Sequence, residues 1–267
     1  MDRLAFKNDL GILPLPRYIK WKMAYNKADK GNLHSWGTVV FCGPQGSGKT
    51  LSAVQYAEKV FSFSPRAILV TNVDLKTYPI NAYMDEDNNI RYIGTNVIIT
   101  EKYINEHWQD KDYVKPVVQY QGLDMFTTLS NGKNGVIYLI DEFHLELNSL
   151  ESKNIPIEIM TELSQQRKQR VHIIGTSQVF MRLAKPLREQ IFNVVMCKCY
   201  FNCFQLNKMC MGEEIQEKDG KITADIKARS FWFHKPEYYE EYDTFAKMRR
   251  YTKLWKNIKG GINSIYG

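Results

Sequence analysis

The eight residues Gly43-Pro44-Gln45-Gly46-Ser47-Gly48-Lys49-Thr50 constrain this chain more than any other stretch. They satisfy the pattern G-x-x-x-x-G-K-[ST], in which backbone N–H groups converge on a phosphate where side chains would intrude. The context is right as well. Thr38 to Phe41 is a short apolar, β-branched run that reads as a buried parallel strand, and Lys49 to Phe61 has helical spacing with Leu51, Val54, Ala57 and Val60 on one face. A helix starting at Lys49 adds its N-terminal dipole and unpaired N–H groups to the anion site. Gly43 through Thr50 are therefore the expected phosphate-binding residues. Lys49 is expected to reach the β- and γ-phosphates of ATP, with Thr50 ligating Mg²⁺.

A second element follows about 90 residues on. Val136 to Ile140 is an apolar strand ending in Asp141-Glu142. Asp141 is the expected Mg²⁺ partner, through water, and Glu142 the residue that orients or deprotonates an attacking water. His144 has two readings, contact with this site or a packing and capping role. A third element is the strand Val171 to Thr176, ending Ser177-Gln178. Gln178, with Thr176 second, can place a polar group beside the γ-phosphate; the same residues suit a plain strand-to-helix cap.

The remaining chain supports an α/β architecture. Ala67–Thr71 reads as another buried strand and Pro156–Arg170 as a helix, so strands alternate with helices as in a mainly parallel sheet covered on both faces. Residues 76–130 show a possible strand (96–100) and helical stretches, but are polar and lack a clear core pattern. Beyond Phe192, Asn193–Phe204 reads as a long strand and Glu213–Phe233 as a hairpin turning at Asp219-Gly220. The expected division is a leader over 1–36 with a helix at 16–31, a core over 37–205, and a C-terminal hairpin and basic tail over 206–267. In that tail Lys247, Arg249, Arg250, Lys253, Lys256 and Lys259 surround Tyr251 and Trp255. They suit phosphate tracking, or equally an amphipathic helix with a solvated basic face.

Lys plus Arg number 36 against 29 Asp plus Glu, an excess of seven that favours an acidic partner such as nucleic acid. No apolar run reaches the 18 residues a membrane span needs, and the first residues carry acids and prolines where a signal peptide is apolar. Cys42, Cys197, Cys199, Cys203 and Cys210 are odd in number and lack paired C-x₂₋₄-C knuckles, so neither a disulfide framework nor zinc is expected. Cys42 reads as a small core residue.

Together the three elements resemble the FtsK–HerA superfamily of DNA-translocating P-loop ATPases, and within it the zonular-occludens-toxin-like ATPases of filamentous phages. The resemblance runs from about Gly37 to Phe245 and is specific in the motif blocks: GSGKTLSAV, Thr71-Asn72-Val73-Asp74-Leu75, IDEFH, Gln166-Arg167-Lys168, Gln178 and Tyr242-Asp243-Thr244-Phe245. It implies a RecA-like fold, ATP and Mg²⁺ as ligands, a homo-oligomeric ring with the site at the subunit boundary, and DNA, double-stranded, as the moved partner. Gln178 then matches the sensor glutamine. Arg167 is the choice for reaching a neighbour's γ-phosphate, with Arg170 its rival and a solvated helix end the bland alternative. Filamentous-phage relatives carry a transmembrane helix after this region, and these residues contain none. The expectation is therefore a soluble viral genome-packaging motor in the host cytoplasm, docked on a procapsid portal or vertex. An extrusion or conjugation ATPase with a membrane partner is the alternative, and a P-loop kinase or nucleotide switch a third.

Overall fold

The structure is a computed structural model, which describes residues 19–20, 22–24, 29–149, 155–218 and 221–242. The expected helix at 16–31, the turn at Asp219-Gly220, the segment Asp243-Thr244-Phe245 and the basic tail lie wholly or in part outside these residues.

The chain opens with β1 (Gly37–Cys42), α1 (Lys49–Ser62) and β2 (Ile68–Thr71). Next come β3 (Ala82–Met84), β4 (Ile90–Tyr92), β5 (Ile98–Ile99), α2 (Glu101–His107), β6 (Val117–Gln119) and α3 (Met125–Thr128). The central part holds β7 (Val136–Ile140), α4 (Ile157–Ser164), α5 (Gln166–Gln169), β8 (Val171–Ser177) and α6 (Lys185–Arg188). It ends with β9 (Ile191–Tyr200), β10 (Phe204–Met211), β11 (Gln216–Lys218), β12 (Lys221–Thr223), β13 (Ala228–Phe233) and α7 (Pro236–Glu240).

One 11-stranded sheet runs in the order β13-β10-β9-β1-β8-β7-β2-β6-β3-β4-β5. From β9 through β3 neighbouring strands are parallel, and both ends finish with antiparallel strands. This is the α/β P-loop fold with a mainly parallel sheet. Both faces of its centre are covered, which is why β1, β2 and β7 are apolar without alternation. Val39 and Phe41 pack with Val54, Ala57 and Phe61 of α1 on one side. Val40, Tyr138, Ile140 and Ile173 pack with Ile159 and Leu163 of α4 on the other. In α1 the expected Val60 packs against this cluster while partly exposed, and Phe61 joins it fully buried.

Four expectations are corrected. Residues 76–130 are not a coreless polar stretch: they add β3, β4, β5 and β6 to the sheet and bury Ile90, Ile104, Val118 and Met125. Their strands are two or three residues long, too short for a period-2 pattern to show. The helix expected over 156–170 breaks at Gln165. Gln166 there turns inward, accepting from and donating to Thr38 Oγ1 at 3.1 and 2.8 Å. The strand expected over 193–204 ends at Tyr200. A tight turn through Phe201 and Asn202, both left-handed (φ 53° and 55°), starts β10. β11 and β12 pair as a small separate ribbon, while β10 and β13 belong to the main sheet. The boundary expected at 205/206 therefore falls inside β10.

Candidate active site

The carboxylates and the phosphate loop come together because β8 lies between β1 and β7, so three consecutive strands end at one edge. The loop leaves β1 at Gly43, whose N–H donates to Ser177 O at 3.2 Å. Gly48 has φ +74°, and a Cβ there would stand 2.0 Å from Gln205 Oε1. The left-handed backbone favours glycine here, and any side chain would also have to displace the Gln205 amide. Lys49, only 8% exposed, directs Nζ to within 3.6 Å of Glu142 Oε1.

Thr50 Oγ1 donates to Asp141 Oδ1 at 2.9 Å. Asp141 is bracketed by Asn72, whose amide donates to Asp141 O at 3.1 Å and accepts from Asp141 N at 2.9 Å. Thr176, fully buried, donates to Asp141 Oδ1 and accepts from Glu142 N at 2.9 Å. Glu142 itself is left-handed (φ 53°, ψ 44°), an unfavourable conformation for a branched-free but bulky side chain, held by these neighbours. His144 Nδ1 lies 3.3 Å from Glu142 Oε2 without hydrogen-bond alignment. Burial lowers the pKa of His144 against the pull of Glu142, which favours the neutral ring.

The structure thus brings Lys49, Thr50, Asp141, Glu142 and Thr176 together. Gln178 stands outside this cluster. It accepts from Arg182 Nη1 at 3.3 Å and lines a separate cavity of about 200 Å³ behind the loop with Gly43, Pro44 and Met196. Arg167 places its guanidinium 5.4 Å from the Trp36 ring centre, and Arg170 reaches Asp29 at 2.7 Å. Neither arginine lines the cavity of its own chain. Of the cysteines, Cys42, Cys197 and Cys210 are buried, Cys199 lines the nucleotide-sized cavity and Cys203 is exposed. No cluster of three or more His, Cys, Asp or Glu side chains suited to a metal occurs among the described residues.

A cavity of about 430 Å³ opens over the phosphate loop, Asp141 and Glu142. Its far wall is made by Cys199, Asn202, His234, Tyr239 and Tyr242, none of which the sequence singled out as site residues. Tyr242 was visible only within the motif that carries the family resemblance. Leu75, which bridges to Tyr242, brings it there. The wall is tied to the loop by a network that is buried at Gln205 and Asn207 and open to solvent at Tyr239. Gln205 Nε2 donates to Ser47 O at 3.1 Å and to Asn207 Oδ1 at 2.7 Å, leaving Gln205 Oε1 to accept from His234 Nε2 at 3.2 Å. Tyr239 Oη stands within reach of both His234 Nδ1 and, at 2.9 Å, Asn202 O, and its single proton serves one of these acceptors at a time.

No family model matches the chain, and a search of curated proteins finds no match. Solved structures do. The N-terminal domain of zonular occludens toxin from Neisseria meningitidis is similar at 18% identity and a TM-score of 0.46, over 78% of this chain and 98% of that one. The genome-packaging NTPase B204 of Sulfolobus turreted icosahedral virus 2, with AMPPCP, is similar at 15% identity and a TM-score of 0.43, over 75% and 97%. The DNA-packaging ATPase B204 of Sulfolobus turreted icosahedral virus is similar at 16% identity and a TM-score of 0.41, over 75% and 97%. Among the described residues no helix is long and apolar enough to cross a membrane.

Proposed function

We propose that the chain hydrolyses ATP and uses the energy to move DNA, as a viral genome-packaging motor working in a homo-oligomeric ring on a procapsid vertex in the host cytoplasm. The observation that carries the hydrolytic part is the placement of Thr50, Asp141, Lys49 and Glu142 on one cavity wall, beneath a loop shaped for phosphates. The cavity volume suits a bound nucleotide. The basic charge balance and the family resemblance support DNA as the partner.

Thr50 and Asp141 offer a hydroxyl and a carboxylate 2.9 Å apart, the hard oxygen set that fits Mg²⁺. When bound, the ion would offset charge on the phosphate oxygens. Lys49, nearly buried beside the same cavity, would neutralise phosphate charge there as well. Glu142 accepts the proton of the attacking water, and Thr176 fixes its backbone so that the carboxylate points into the cavity. The His234–Tyr239 wall offers the nucleotide's base aromatic ring faces on the same cavity. In a ring, Arg167 supplies charge to a neighbour's γ-phosphate; Gln178, outside the cluster of its own chain, is kept as the sensor residue only by the family resemblance.

The test is ATP hydrolysis by wild type and Glu142→Gln, with and without double-stranded DNA, alongside the oligomeric mass. The expected result is DNA-stimulated turnover in a ring-sized species, lost in the variant. Turnover by a monomer that ignores DNA overturns the motor reading while leaving the nucleotide site intact.

A further inference from the structure

The strands β9, β10 and β13 form an antiparallel end of the sheet whose two faces differ. One face carries Cys197, Gln205 and Asn207, buried against α1 and the phosphate loop. The register fixes what lies on the other. Tyr200 pairs with Phe204 and Phe204 with Phe233; Lys198 pairs with Leu206 and Leu206 with Phe231; Lys208 pairs with Arg229. Directly opposed residues share a face, so these side chains form one grid.

None of them is buried. Phe231 and Phe233 are 71% and 68% exposed, on an open face rather than singly scattered. Their rings join Phe204 at centroid distances of 6.2 and 5.2 Å, and Tyr200 follows at 6.3 Å. Lys198 lies over the Tyr200 ring at 4.6 Å. The three strands contain no Asp or Glu, and Lys198, Lys208 and Arg229 have no ion-pair partner among the described residues. Toward Met196 and Cys210 the face is covered by the main core with Ile215 and Ala224; toward Tyr200 and Phe233 it is open.

We propose that this face is a platform for single-stranded nucleic acid, on which unpaired bases stack against Phe231, Phe233 and Tyr200 while Lys198, Lys208 and Arg229 meet the phosphates. Aromatic rings interleaved with cations on a flat sheet match the two repeating chemistries of a single strand, a π-faced base and an anionic linker. A duplex hides its base faces and can use the cations alone. A second copy docked face to face would set the three cations against their equivalents. The platform lies across the sheet from the phosphate loop, so it stands whether or not the proposed motor activity does.

The test is fluorescence anisotropy with a labelled 12-nucleotide oligo(dT) and with a 12-base-pair duplex, at two salt concentrations. Wild type is expected to prefer the single strand. Phe231→Ala and Phe233→Ala are each expected to weaken oligo(dT) binding about tenfold and duplex binding less than twofold. Phe231→Trp should keep the single-strand affinity. Arg229→Ala should reduce the slope of log K against log salt for the single strand by about 0.7. Both phenylalanines are exposed, and retained binding of a fluorescent ATP analogue reports that the variants fold. Unchanged oligo(dT) affinity in both alanine variants overturns the proposal. So does unchanged affinity accompanied by loss of phosphatidylserine-vesicle binding or a shift in oligomeric mass, which would assign the face to lipid or to another copy.

Discussion

Glu142 and Gly48 show how single residues set this site. Glu142 holds a left-handed backbone that costs on the order of 1–3 kcal/mol, and its N–H and carboxylate are each engaged by a neighbour. Replacing it by Gln keeps shape and the backbone contact but removes the proton acceptor. The expected outcome is turnover lower by about 10²–10⁴ with ATP affinity within a few fold, read by steady-state kinetics and equilibrium binding. Gly48→Ala tests the loop instead. The methyl group would enter a left-handed position and collide with Gln205, which holds both Ser47 O and His234. ATP affinity should fall at least tenfold. A variant that binds as tightly as wild type would show that the Gln205 network does not shape the loop.

Among the elements, β8 does most to join fold and site, and its buried histidine makes it pH-sensitive. His172 is 1% exposed, with Nδ1 2.9 Å from Gly37 O and Nε2 3.2 Å from Tyr56 Oη. Nδ1–H donates to the carbonyl and Nε2 accepts from the phenol, which is the neutral ring. Burial holds its pKa down to about 4 from 6.5. Between those values the unfolded chain binds a proton that the folded chain refuses, so stability falls as pH drops from about 6.5 to 4, by about 3 kcal/mol in total. Above pH 6.5 the group contributes no slope. Urea unfolding at a series of pH values should show this loss in wild type and not in His172→Gln, the difference between the two isolating the histidine from other acids. Equal slopes would mean that His172 is protonated in the fold.

On the scale of the whole molecule, the sheet carries the phosphate loop at its parallel centre, and part of the cavity's far wall (His234, Tyr239 and Tyr242) comes from the 206–267 region that the sequence assigned to an appendage. β10 satisfies the edge of β9 and supplies Gln205, Asn207 and Cys210 to the interior. A chain ended at residue 205 would expose that edge and a row of buried side chains. It is expected to lose its cooperative thermal transition, measured by circular dichroism, rather than to behave as a free-standing ATPase core. A sharp transition near the wild-type temperature would show that β10 and β13 are dispensable.

The sequence alone determined the phosphate loop, the strand ending in Asp141-Glu142, the alternation of strands and helices and the mainly parallel sheet. These are short-range patterns: glycines where a backbone must approach a phosphate, and unbroken apolar runs where both faces are covered. It placed Thr176 as a second choice, and the structure puts that hydroxyl between Asp141 and Glu142. The tertiary structure decided what depended on residues distant in sequence. His234, Tyr239 and Tyr242 reach the cavity because β10, β13 and the bridge at Leu75 carry them there; no local pattern marks His234 or Tyr239, and Tyr242 shows only within a motif block. The three-residue strands of 76–130 were hidden for a related reason, since such strands are specified by the partners they pair with more than by their own few side chains.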